Sequence, residues 1–138
     1  MPTAVTYLNP PNAALAQSAY CQVARVKPGE LAFVSGQVSV DAQGLVVGRG
    51  NFDNQFKQVF ENIGRILHDL GAGYDDIVQM TSYLIEEGDI SGFRDARARY
   101  FPEWFTGPLF PPHTLLIVRA LASPEFLLEV EVVARLGD

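Results

Sequence analysis

Apolar positions recur along the chain with two periods, and each change of period marks an element. From about Asp53 to Leu70, the residues Phe56, Val59, Phe60, Ile63, Ile66, Leu67 and Leu70 fall on one stripe of an α-helix. Asn51 or Asp53 suits its start as a cap, and Gly71 and Gly73 suit a left-handed stop at its end. A second helix is predicted from about Ile90 to Phe101, with Ile90, Phe93, Ala96, Tyr100 and Phe101 near one face and Pro102 ending or kinking its last turn. Elsewhere the pattern is short, β-branched and bounded by turn residues. Strands are read at Tyr20–Val26, Leu31–Val34 and Ile77–Ile85, with Val38–Val40 extended. The turn Lys27-Pro28-Gly29-Glu30 joins the first two as a hairpin. Residues Met1–Ala14, rich in Pro and Asn, read as an irregular lead-in.

The closing stretch, Gly107–Leu136, carries the strongest strand signal. Two apolar runs, Thr114–Val118 and Phe126–Val133, flank a turn at Ala122-Ser123-Pro124 and read as a closing hairpin. Two carboxylates, Glu129 and Glu131, stand inside the second run, where a charge must be solvated, paired or functional. Gly36, directly after the Leu31–Val34 run in Ser35-Gly36-Gln37, signals a bulge or a close backbone approach. The order β-β-β-α-β-α-β-β predicts an α+β fold: a single mixed sheet with two helices packed on one face. Its other face would be apolar and uncovered, which predicts a homo-oligomer.

Composition narrows the function classes. The 138 residues are read as one domain, with a net charge of −6 that weighs against broad nucleic-acid binding. One cysteine, Cys21, and two histidines leave no disulfide framework and no metal-ligand cluster, so no metal is expected. No apolar run approaches a membrane span and no leader peptide is read, so a soluble cytoplasmic protein is expected. Nucleotide-loop, zinc-protease and serine-hydrolase motifs are missing from the sequence. What remains is a pocket hypothesis built on Tyr20, Ser35-Gly36-Gln37, His113-Thr114 and Glu129.

Taken in order, several of these features resemble the RidA (YjgF-type) family, also labelled endoribonuclease L-PSP. They are Tyr20 before a strand, Phe33-Val34-Ser35-Gly36-Gln37, Gly44, Gln55-x-x-Gln58-x-x-x-Asn62, Gly71 and Asp76-Ile77-Val78. Phe93…Tyr100, Phe110-Pro111 and Leu128-Glu129-Val130-Glu131 complete the series. The resemblance implies a chorismate-mutase-like fold and a homotrimer with small-molecule clefts between subunits. It also implies hydrolysis of reactive enamines or imines, such as 2-aminoacrylate, without a cofactor. On this resemblance Glu129 is the catalytic, water-activating residue, and Tyr20, Ser35, Gly36, His113 and Thr114 bind substrate. The family's carboxylate-binding arginine, just after the Phe-Pro step, is here His113, and its cysteine two positions on is Leu115. A neutral imidazole lacks the guanidinium fork. Arg97 and Arg119 are the candidate replacements, and the expected substrate is altered accordingly. The rival readings are a non-catalytic small-molecule-binding trimer and an endoribonuclease. The acidic balance and the lack of a basic stripe disfavour the latter.

Overall fold

The computed structural model describes residues 4–137. Its elements are β1 (Val5–Leu8), β2 (Val23–Val26), β3 (Glu30–Gln37), α1 (Phe52–Asp69), β4 (Ile77–Leu84), α2 (Ile90–Trp104), β5 (His113–Ile117) and β6 (Leu128–Leu136). A mixed four-stranded sheet runs β3-β6-β4-β5, with β6 antiparallel to both neighbours and β5 parallel to β4. Both helices lie on one face of it. The core between them joins Phe56, Phe60 and Ile63 of α1 to Phe93 and Phe101 of α2 and to Met80, Leu84, Leu128 and Val130 of the sheet.

The long helix forms where its apolar stripe places it. Asn51 caps it, its side chain accepting from the Asn54 amide at 3.0 Å. Its end turns through Gly71 at φ +76°, where the Ala72 amide returns to the Leu67 carbonyl at 2.8 Å. The polar side of α1 is also used. Gln58 and Asn62 bond each other at 2.8 Å and donate to the carbonyls of Val38 and Val40, which closes backbone groups that the short extended segment leaves without a ladder.

Four expectations about the strands are corrected. The lead-in contains a strand: Val5–Leu8 is β1, and it pairs antiparallel with β2 in a separate two-stranded ribbon. Residues 1–3 of that lead-in lie outside the described residues. The sheet is therefore four-stranded with a ribbon beside it, rather than one continuous sheet. β2 makes no hairpin with β3. Its partner is β1, and the link to β3 is pinned by Arg135 of β6, which donates to the carbonyls of Lys27 and Pro28 at 3.1 and 2.7 Å and fills the space beside Gly29. The last two strands are not a hairpin either, because β6 inserts between β3 and β4 while β5 takes the edge.

The second helix runs through Pro102 to Trp104, one turn past the expected end. The uncovered face of the sheet is mixed rather than apolar. Phe33, 78% exposed, and the half-exposed Leu31 and Leu116 share it with polar side chains. Among the described residues, no helix is long and apolar enough to cross a membrane.

Candidate active site

The predicted site residues fall into two groups on opposite faces of the sheet. Strand alternation decides the division. In β6, Leu128, Val130, Val132 and Ala134 are buried against the helices, so Glu129 and Glu131 point to the open face. Tyr83 and Thr81 of β4 lie opposite them in register, and Thr114 of β5 lies opposite Thr81. His113 lies opposite the buried Met80, which puts its ring on the helix side. His113 and Thr114, neighbours in sequence, therefore face different spaces.

On the open face, Glu129 sits against a break in its neighbour. The β3–β6 register slips between Val34 and Gln37, so Ser35 and Gly36 form the bulge that the sequence signalled. A Cβ built at Gly36 would stand 2.8 Å from the Glu129 carboxyl carbon and closer still to Oε2. Glycine at this position is what lets the carboxylate lie on the backbone. Burial, and then the charge of Glu131, raises the Glu129 pKa above the ordinary carboxylate value. Glu131 itself accepts a 2.6 Å hydrogen bond from the Tyr83 hydroxyl, so the two carboxylates differ in environment. A shallow cavity of about 330 Å³ opens on this face, with Ser35, Thr81 and Glu131 in its wall.

On the helix side, α2 and the segment before β2 close a second cavity, of about 190 Å³, around His113. Arg97 enters it from α2, only 5% exposed. Its Nη1 donates to His113 Nδ1 at 3.0 Å, and its Nη2 donates to the Ser18 hydroxyl. A guanidinium only donates, so Nδ1 is the accepting nitrogen. The proton then resides on Nε2, which stands 2.8 Å from the Ser82 hydroxyl. The imidazole stacks on Phe93, centroids 5.3 Å apart, and the Arg97 guanidinium lies 5.3 Å from the same ring. Burial, and then Arg97, pushes the His113 pKa down to about 3. Burial, and then Arg94, lowers that of Arg97 to about 10. At neutral pH the site holds a neutral imidazole and a charged guanidinium.

Tyr20 lines the same cavity and accepts from the Gln17 amide at 3.1 Å, which fixes the segment over the pocket. Arg119 is exposed in the link after β5 and is not part of this wall. Of the two candidate arginines, only Arg97 meets His113. Ser18, Ser82, Phe93 and Arg94 were not among the predicted site residues. Ser82 had a signal in the sequence: it is the one polar residue at the buried period-two positions Met80, Ser82 and Leu84. Among the described residues, no cluster of His, Cys, Asp or Glu could hold a metal ion.

The chain is thus an α+β domain with one cavity on the open face of its sheet and another on the helix side. The sequence model of the family described as Endoribonuclease L-PSP matches residues 11–136, and the chain belongs to that family. RutC family protein YjgH of Escherichia coli is 31% identical over 116 residues, 83% of this chain and 82% of that protein. A RutC family protein of Pyrococcus abyssi is 29% identical over 109 residues, 79% of this chain and 81% of its own length. The crystal structure of the Rid family protein YyfB from Yersinia pestis covers 97% of this chain and 100% of its own. Its TM-score is 0.85 at 23% identity, a likeness of fold.

Proposed function

We propose that this protein is a Rid-type hydrolase of small reactive imines and enamines, working in clefts completed by a second copy of the chain. The observation that carries this reading is the Glu129 carboxylate. It is seated on Gly36, holds its proton more tightly than an ordinary glutamate and lies on the sheet face that the helices leave uncovered. A general base is most effective when its pKa is drawn toward the working pH. Glu129 takes a proton from water as the oxygen attacks the imine carbon. Glu129 passes that proton to the nitrogen as the C=N electron pair moves onto it; the aminoalcohol then loses its hydroxyl proton through Glu129 to the same nitrogen, the C–N bond breaks, and ammonia and a 2-oxo acid leave. Backbone amides at the Ser35-Gly36 bulge and the Thr114 hydroxyl orient the polar end of the substrate.

Arg97 takes the carboxylate in place of the family arginine. His113 and Ser18 use two of its five N–H donors, which leaves the rest for an anion. The two half-sites lie on opposite faces, so one copy's open face must meet the next copy's Arg97 pocket. An interface between unlike surfaces gives a ring where its rotation closes, and a cyclic homo-oligomer, with the trimer the family resemblance implies as the simplest choice, meets that need.

The test is release of ammonia and 2-oxo acid from freshly generated imines, 2-aminoacrylate among them. The wild-type protein should accelerate at least one imine over buffer, and Glu129→Gln should lower that rate by about a hundredfold or more. Full turnover in Glu129→Gln would sink the mechanism. Measurable ligand binding with no turnover of any imine would support the non-catalytic binding protein instead.

A further inference from the structure

We propose that the Arg97 pocket is built for a short-chain dicarboxylate, with Arg97 holding one carboxylate at its floor and Arg94 the other at its mouth. The proposal deepens the reading above and rests on it only for the imine chemistry, not for the binding.

Charge distribution is the first support. The chain has 16 acidic and 10 basic residues, yet this cavity is walled by two arginines and by no acidic side chain. Arg94 and Arg97 stand one helical turn apart on α2, a spacing at which like charges repel. The repulsion registers at Arg97, whose pKa Arg94 helps to lower. Neither arginine joins the ion pairs found among the described residues, Arg49–Glu125 and Arg99–Asp53. The buried Arg97 guanidinium without a carboxylate is costly, and the like charge of the exposed Arg94 one turn away adds to the cost. One anion would relieve Arg97 alone, whereas a ligand with two carboxylates relieves both.

The remaining wall sets the shape. Ile90, Phe93 and Leu115 are apolar and suit a short carbon chain between the two charged ends. The neutral His113 adds no third positive charge and directs Arg97 through its Nδ1. The matching substrate is a 2-imino diacid. Water replaces its nitrogen, and a 2-oxo diacid and ammonia are the products.

Isothermal calorimetry at low ionic strength tests the proposal with succinate, propionate and inorganic phosphate. Wild-type protein should bind succinate about fivefold more tightly than propionate, or better, which is the worth of one partly solvated ion pair. In Arg94→Gln, an exposed substitution on α2, that gap should close to within about twofold. Arg97→Gln, checked for folding by circular dichroism, should weaken both acids. Equal affinity for the two acids in the wild-type protein would overturn the proposal, as would a gap that survives Arg94→Gln. Arg94-dependent binding of phosphate tighter than that of succinate would overturn the dicarboxylate assignment. Binding is read without turnover. Inactivity toward every imine would therefore sink the hydrolase reading and leave this one intact, and the reverse also holds.

Discussion

His113 is a histidine that burial keeps neutral, and this makes it a measurable contributor to stability. Its pKa in the folded chain is about 3, below the value near 6.5 of an unfolded histidine. Between those limits the unfolded chain binds a proton that the native chain refuses. Stability is then at its full value above about pH 6.5 and falls as the pH drops toward 3, by up to about 1.4 kcal/mol per unit. His113→Asn keeps an acceptor for Arg97 and removes the titration. Urea unfolding at pH 7 and pH 4.5 should show the wild-type protein losing about 2 kcal/mol more than the variant across that interval. Equal losses would mean that the ring is protonated in the fold. The sequence placed His113 at the substitution that matters and offered Arg97 and Arg119 as candidates to stand beside it, but could not choose between them. Arg97 lies one helical turn beyond Phe93, and nothing in the spacing shows α2 crossing over the start of β5. Glu129 was easier to read. Strand alternation alone gives its face, and a glycine after an apolar run marks the bulge beneath it.

Elements here are tied to one another by a few buried amides as well as by the core. Gln55 is fully buried in the first turns of α1. Its Nε2 donates to the carbonyls of Gly48 and Glu125 at 3.1 and 2.9 Å, and its Oε1 accepts from the Leu127 amide at 2.9 Å. One side chain thus clamps the turn before α1 to the entry of β6, the strand that carries Glu129. Gln55→Leu is close in volume but leaves the Leu127 amide and the Glu125 carbonyl without these partners, each worth about 1–3 kcal/mol when water cannot reach it, while the Gly48 carbonyl keeps its bond from the Asn51 amide. The expected cost is about 2 kcal/mol or more in a urea titration. A change under about 1 kcal/mol would mean that the loop relaxes to water. The helices were legible because their apolar stripes are long and capped. Strand neighbours were not, because a turn signal gives a reversal of the chain and not a partner. Both expected hairpins failed on that point. In one, β2 pairs with β1 while Arg135 of β6 pins the Lys27-Pro28 turn, and in the other β6 crosses to the middle of the sheet.

At the scale of the whole molecule, the proposed function requires assembly, because its two half-sites are separated by the sheet. Glu129 and Arg97 lie on opposite sides of one sheet, and a single side chain cannot reach from one to the other through a layer filled by Val130, Met80 and Leu84. The open face keeps Phe33 78% exposed beside Leu31, apolar surface that a neighbouring copy would cover. If each cleft takes Glu129 from one copy and Arg97 from the next, two inactive variants should repair each other. Glu129→Gln and Arg97→Gln, each inactive alone, are unfolded together at equal concentration and refolded as mixed oligomers. An intact cleft needs its Glu129 side from an Arg97→Gln copy and its Arg97 side from a Glu129→Gln copy. Each choice is made half the time, so about a quarter of the wild-type activity should return. Variants refolded separately and then combined without exchange should stay inactive, which rules out simple addition of residual rates. If the site instead formed within one copy, every cleft in the mixture would carry a defect and activity would not return. The fraction recovered therefore reports which copies supply each cleft, independently of the substrate used to measure it.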